Sequence, residues 1–111
     1  MEITEETRDG ICILKPAGHI DSGTAAAFEL RLLQAIGADP VRLVVDMGRI
    51  ASLSPVGLRV LLVATRQARL AGGRIVLAAM PASLRALFND SGFSGLFEIH
   101  ATAEDALNSL R

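Results

Sequence analysis

The run "GICILKP" (Gly10–Pro16) is apolar at consecutive positions and not merely at alternate ones. In a strand, Ile11 and Ile13 would point to one face and Cys12 and Leu14 to the other, the pattern of an inner strand covered on both sides. Asp9-Gly10 just before it is a turn signal, so residues 1–20 read as two short strands joined there. The next segment changes period. "TAAAFELRLLQAI" puts Phe28, Leu32, Ala35 and Ile36 on one side and Glu29, Arg31 and Gln34 largely elsewhere, which predicts an amphipathic helix. Asp21 or Ser22 should start it, because either side chain can accept from free N–H groups of a first turn. "GADP" (37–40) should end it.

The same alternation then repeats. "VRLVVDM" (41–47) is β-branched and apolar and predicts a strand. "VGLRVLLVATRQARLAGG" predicts a helix closed by Gly72-Gly73. "RIVLAAM" is a strand, and "PASLRALFND" a short helix with Pro81 in its first turn and Leu84, Leu87 and Phe88 facing the core. "SGFSG" interrupts the chain, "LFEIH" is a short strand, and "TAEDALNSLR" is a final helix in which Thr102 and Asp105 resemble a capping box. The order is β-β-α-β-α-β-α-β-α, an α/β fold: a mixed central sheet with helices packed on it, a hairpin at its start and parallel strands after it. In such sheets recognition and chemistry gather at strand carboxyl ends. That singles out the loops "GHIDSG" and "IASLSPVG".

The second of these loops opens the helix through Ser54, Pro55 and Gly57. Ser54 is a favoured N-cap, and Pro55 at the first helical position loses no bond. Gly57 is different, since glycine in a first turn costs up to ~1 kcal/mol relative to alanine. Either close packing or room for another molecule must ask for a bare backbone there. On a helical wheel Leu58, Leu61, Leu62, Thr65 and Ala68 form a core face. Val56, Val60 and Val63 form a second apolar row nearly opposite, with Arg59 and Arg66 between. Such a row either packs on a neighbouring helix or is a docking strip with an arginine rim. It could equally serve a homodimer.

Composition narrows the function classes. The 111 residues suit one domain, 1–111, half of them apolar and about a fifth charged, with net charge −1. Lys15 is the only lysine, and Trp and Tyr are absent. Nucleic-acid binding, which needs concentrated cations or stacking rings, is therefore not expected. Cys12 is the only cysteine, so no intrachain disulfide forms, and its apolar run marks it as a small core side chain. The acidic N-terminus has no signal-like stretch, and no run nears the roughly 20 apolar residues of a membrane span. A cytoplasmic protein without membrane insertion is the expectation.

Catalytic patterns are missing as well. There is no G-x-G-x-x-G and no G-x-x-x-x-G-K-[ST], and "DSGFSG" lacks the spacing of a nucleophile elbow. His19 and His100 stand apart with no second ligand at helical spacing, and no carboxylate pair is placed to raise a pKa. The reading is a non-enzyme with no cofactor and no metal.

With these residues in place, the chain resembles a STAS domain of the bacterial anti-sigma factor antagonists over nearly its whole length. "AGHIDSGTAAAFELRLLQAI" resembles the family's early segment, where a glycine and an Asp precede the first helix. "LVVDMGRIASLSPVGLRVLL" resembles its signature, in which Asp-Leu-Ser is followed by Asp-Ser-Ser-Gly-Leu. Asp46 lies eleven residues before Gly57, without a gap. "GGRIVLAAMPASLRALFNDSGFSGLFEIHATAEDAL" fits the C-terminal half.

The resemblance implies a STAS fold and a binding module that sequesters an anti-sigma factor with kinase activity, thereby regulating transcription. It also implies a switch: the kinase phosphorylates the serine before the signature glycine, and a phosphatase reverses this. Here that position is Val56, which has no hydroxyl, and Ser54 and Pro55 replace the preceding Asp and Ser. Ser54 or Ser52 would be the substitute acceptor. The implied contact residues are Asp21, Ser22, Ser54, Pro55, Val56, Gly57, Arg59, Val60 and Val63. STAS units also serve lipid ABC transporters and stress-signalling scaffolds, the alternative reading.

Overall fold

The computed structural model describes residues 1–37 and 42–111. The N-terminal hairpin forms as expected: β1 (Glu2–Arg8) pairs antiparallel with β2 (Ile11–Ile20) around Asp9 and Gly10, both at positive φ. The first helix, α1 (Ala25–Ile36), starts later than expected, with Thr24 at its N-cap. Asp21 and Ser22 are instead spent on a turn before it. Asp21 Oδ1 accepts from the Gly23 N–H (2.9 Å), and Thr24 Oγ1 donates to the His19 carbonyl (2.8 Å). These bonds close the turn ahead of the helix, and the Thr24 hydroxyl, spent on the His19 carbonyl, makes no cap bond to the first turn of α1. Of the expected "GADP" stop, residues 38–40 lie outside the described residues, as does Val41 of the following strand.

The main departure comes next. β3 (Arg42–Asp46) does not hand over directly to a helix; a further strand, β4 (Arg49–Leu53), intervenes. Asp46 Oδ1 accepts from the Gly48 N–H (2.9 Å) in a tight turn. The chain then returns to the same side of β2 that β3 had been using. Cys12–Leu14 of β2 pair with Leu43–Val45, and Ala17–Ile20 pair with Arg49–Leu53, both in parallel. A ten-residue β2 can hold two shorter strands end to end, and the register slips between Gly18 and His19, with Gly18 at φ +99°. In β4 only Ile50 and Leu53 are buried. That is no period-2 pattern, which is why the strand was invisible in the sequence.

α2 (Pro55–Leu70) ends as expected, with Gly72 at positive φ and the Gly73 N–H bonded to the Ala68 carbonyl. β5 (Arg74–Ala78), α3 (Ala82–Asp90), a short 3-10 turn at Ser94–Leu96, β6 (Glu98–His100) and α4 (Ala103–Leu110) complete the chain. Pro81 is the N-cap of α3 and not part of its first turn, and Leu87 is exposed, leaving Leu84 and Phe88 as the buried face. Phe88 packs on Phe97 with ring centroids 5.3 Å apart.

The sheet runs β1-β2-β3-β5-β6, with β4 also paired to β2. Side-chain alternation splits the core in two. Leu14, Leu43, Val45, Ile75 and Leu77 face α1, α2 and α3, whereas Ile11, Ile13, Val44, Val76 and Ala78 face α4 alone. Consecutive apolar residues in the inner strands are thus consumed by two unequal helical layers. Cys12 is half-buried against the larger core, and burial pushes its thiol up, away from the reactive thiolate.

At the β6 edge the Glu98 carboxylate bonds to both the Arg74 guanidinium and His100 Nε2. The Arg74 hydrogen bond is the main reason the Glu98 carboxyl lies below its ordinary value. A carboxyl with a depressed folded pKa gives stability that is present above its unfolded pKa and is lost as pH falls through the folded one. Glu98→Gln is therefore expected to lose less stability than the parent between about pH 6 and about pH 3 in denaturant titrations. The difference should be small and shrink in salt, because the pair is well exposed.

Candidate functional site

The carboxyl ends of β2 and β4 lie side by side. The Ser54 N–H donates to the Ile20 carbonyl (2.8 Å), tying the start of α2 to the turn that carries Asp21 and Ser22. The two loops singled out in the sequence therefore form one rim. On it Asp21, Ser22, Pro55 and Val56 are exposed, and Ser54 is partly buried.

Each residue at the α2 start has its own constraint. Ser54 Oγ accepts from the Gly57 N–H at 3.4 Å, a long but recognisable cap, and Pro55 opens the helix. Ser54→Ala is expected to cost ~1 kcal/mol, seen as a melting temperature lower by about 5 °C. Gly57 faces inward. A Cβ there would sit 2.5 Å from Ile20 Cγ2 and 2.6 Å from Leu53 Cδ1. The bare backbone is demanded by the chain's own β2 and β4, so the expectation that Gly57 contacts a partner is corrected.

The valine row is corrected too. Val60 is 7 % exposed and belongs to the core, whereas Val56 and Val63 are 47 % and 42 % exposed. The core face of α2 is wider than the wheel suggested, since both α1 and the sheet pack on it. Ala64 is buried beside Leu58, Leu61, Thr65 and Ala68, and Leu62 only partly. The outward stripe is Val56, Val63 and Leu70, seven residues apart, and Leu70 is 83 % exposed. Sequence reasoning missed Leu70, although the seven-residue spacing from Val63 would have found it. Arg59 and Arg66 are exposed along one side of this stripe.

Polar chemistry at the rim is sparse. His19 Nδ1 and Ser52 Oγ lie 2.6 Å apart in a hydrogen bond between β2 and β4, both exposed. Among the described residues no third side chain is bonded to this pair, which there lacks the orienting carboxylate of a triad. Among the described residues no three His, Cys, Asp or Glu side chains gather as a metal site. No described helix is long and apolar enough to cross a membrane. What the rim offers is shape: an apolar stripe with cations beside it and short polar side chains at its head.

Comparison with known proteins assigns this arrangement to a class. Residues 2–106 match the STAS domain. A Bordetella bronchiseptica protein named "Putative anti-sigma factor antagonist BtrV" is 32 % identical over 106 residues, 96 % of this chain and 91 % of that one. The crystal structure of an anti-sigma factor antagonist from Mycobacterium paratuberculosis superposes with a TM-score of 0.87 at 26 % identity, covering 99 % of this chain and 93 % of that one. The anti-sigma factor antagonist SpoIIAA in its unphosphorylated form shares the fold, with a TM-score of 0.80 at 18 % identity over 99 % and 96 % of the two chains. The chain belongs to the STAS domain family. Within it, this is an anti-sigma factor antagonist-like domain, a class whose work is protein interaction in transcription regulation.

Proposed function

We propose that this chain docks an anti-sigma factor through the rim formed by Asp21, Ser22, Ser54, Pro55, Val56, Arg59 and Val63, and that serine phosphorylation at the usual place does not switch it. The single observation that carries this is Val56. It is exposed at the second position of α2, directly before the buried Gly57, where the resemblance places the modified serine. An apolar side chain there keeps the contact surface dry and uncharged, whereas a phosphate would add about −1.5 to −2 charge to it. The domain acts by binding and performs no bond chemistry.

Incubation with an anti-sigma factor kinase and ATP, followed by intact-mass measurement, tests the reading. The parent chain is expected to stay unmodified and Val56→Ser to gain one phosphate. Stoichiometric phosphorylation of the parent on the rim would sink it. Of the two substitute acceptors, geometry favours Ser52, which is exposed, over Ser54, whose Oγ is partly buried and engaged as a cap. Peptide mapping of any phosphate separates them.

A further inference from the structure

Alongside the Val56 stripe, and meeting it at Leu70, the surface of α2 sinks into two grooves that join at Leu62. The first, about 380 Å³, is walled by Pro55, Leu58, Leu62 and Phe93, with Arg59 at its lip. The second, about 310 Å³, continues between Leu62 and Leu96 to Leu70, bordered by Arg66 and Arg69. Together they follow α2 from Pro55 to Leu70, about 22 Å at 1.5 Å per residue. The lower wall comes from the segment around the 3-10 turn, which Phe97 anchors against Phe88.

The charge that α2 brings to this face is one-sided. α2 contains Arg59, Arg66 and Arg69 and neither Asp nor Glu. The ion pairs formed among the described residues involve none of these three arginines. The whole chain has net charge −1, so the cations mark this face and are not part of a general excess. An apolar trough with guanidinium groups along its lip that pair with none of the described carboxylates is complementary to an apolar ridge flanked by carboxylates.

We infer that the groove receives an acidic amphipathic helix of a partner protein, about four turns long. The helical form follows from the groove's straight course and from α2 itself, whose backbone groups are already paired within the helix. An occupant must satisfy its own backbone, and a helix does so. A second copy of this chain fits poorly, because pairing this face with itself would set arginine against arginine. The inference rests on the reading that the domain works by docking proteins; the groove adjoins the Val56 rim and shares Pro55 and Arg59 with it, and the inference adds the chemistry of what sits there.

The test uses two fluorescein-labelled 18-residue peptides of designed sequence. They share leucines at helical spacing; one carries glutamates on the flanks and the other lysines. Fluorescence anisotropy with the full chain is expected to show the glutamate peptide binding at least tenfold more tightly, with affinity falling as salt rises. Arg66→Glu/Arg69→Glu, both at exposed positions and so compatible with folding, should remove or reverse that preference. Leu62→Ser should weaken binding of the glutamate peptide. Amide chemical-shift changes should centre on Leu58, Leu62, Phe93 and Leu96.

Equal binding of the two peptides, binding of neither, or shift changes confined to other faces would overturn the inference. So would a dimer that buries this groove at working concentration, or binding to anionic phospholipid vesicles without peptide binding. Val56→Asp should leave peptide binding intact while weakening anti-sigma factor capture. Failure at the groove and failure of the docking rim are therefore read separately.

Discussion

Gly57→Ala is expected to destabilise the domain by about 2 kcal/mol, lowering its melting temperature by roughly 10 °C. The sign runs against helix propensity, which by itself would favour alanine by up to ~1 kcal/mol. Packing decides it. The new methyl would come within 2.5 Å of Ile20 Cγ2 and 2.6 Å of Leu53 Cδ1, and 3.2 Å from Ile20 Cβ. Ile20 is fully buried and β-branched, so its γ methyl cannot swing aside without moving β2. Thermal or denaturant unfolding checks this. A variant as stable as the parent, or more so, would mean that α2 can lift off the β2 and β4 ends without cost.

Val56→Asp is expected to weaken capture of an anti-sigma factor at least about 30-fold while leaving stability within about half a kcal/mol. The second position of a helix tolerates, and slightly favours, a negative charge because of the helix dipole. Ser54 and Pro55 keep their roles as cap and first residue. A binding loss in this variant thus cannot be ascribed to unfolding. It reports a charge placed where the parent presents a methyl surface. Affinity measured by titration calorimetry, beside a melting curve, separates the two effects. Undiminished binding would remove Val56 from the interface.

Gly57 shows where reading the sequence stops. Its presence in a first helical turn was conspicuous, and two explanations were open, an outside molecule or close internal packing. Choosing between them needs the position of Ile20, thirty-seven residues earlier, and no local pattern supplies that. Val60 makes the same point. Its spacing groups it with Val56 and Val63, but the breadth of a helix's buried face depends on how many elements pack against it. Here α1 and the sheet both do, and Val60 is drawn into the core. β4 escaped for another reason, since a strand with two buried residues and a broken alternation carries almost no periodic signal.

By itself the sequence determined the alternation of strands and helices, the two-faced burial of the inner strands, and the cap that launches α2. It also determined the family, because these features depend on near neighbours along the chain and on period. Tertiary structure alone decided that β3 and β4 share one side of β2, and that Asp21 and Ser22 meet Ser54 at a single rim. It also turned Gly57 and Val60 inward and left Leu70 outward. Those outcomes depend on which distant segments compete for the same space, and contacts between segments far apart in the chain leave no local trace in residue order.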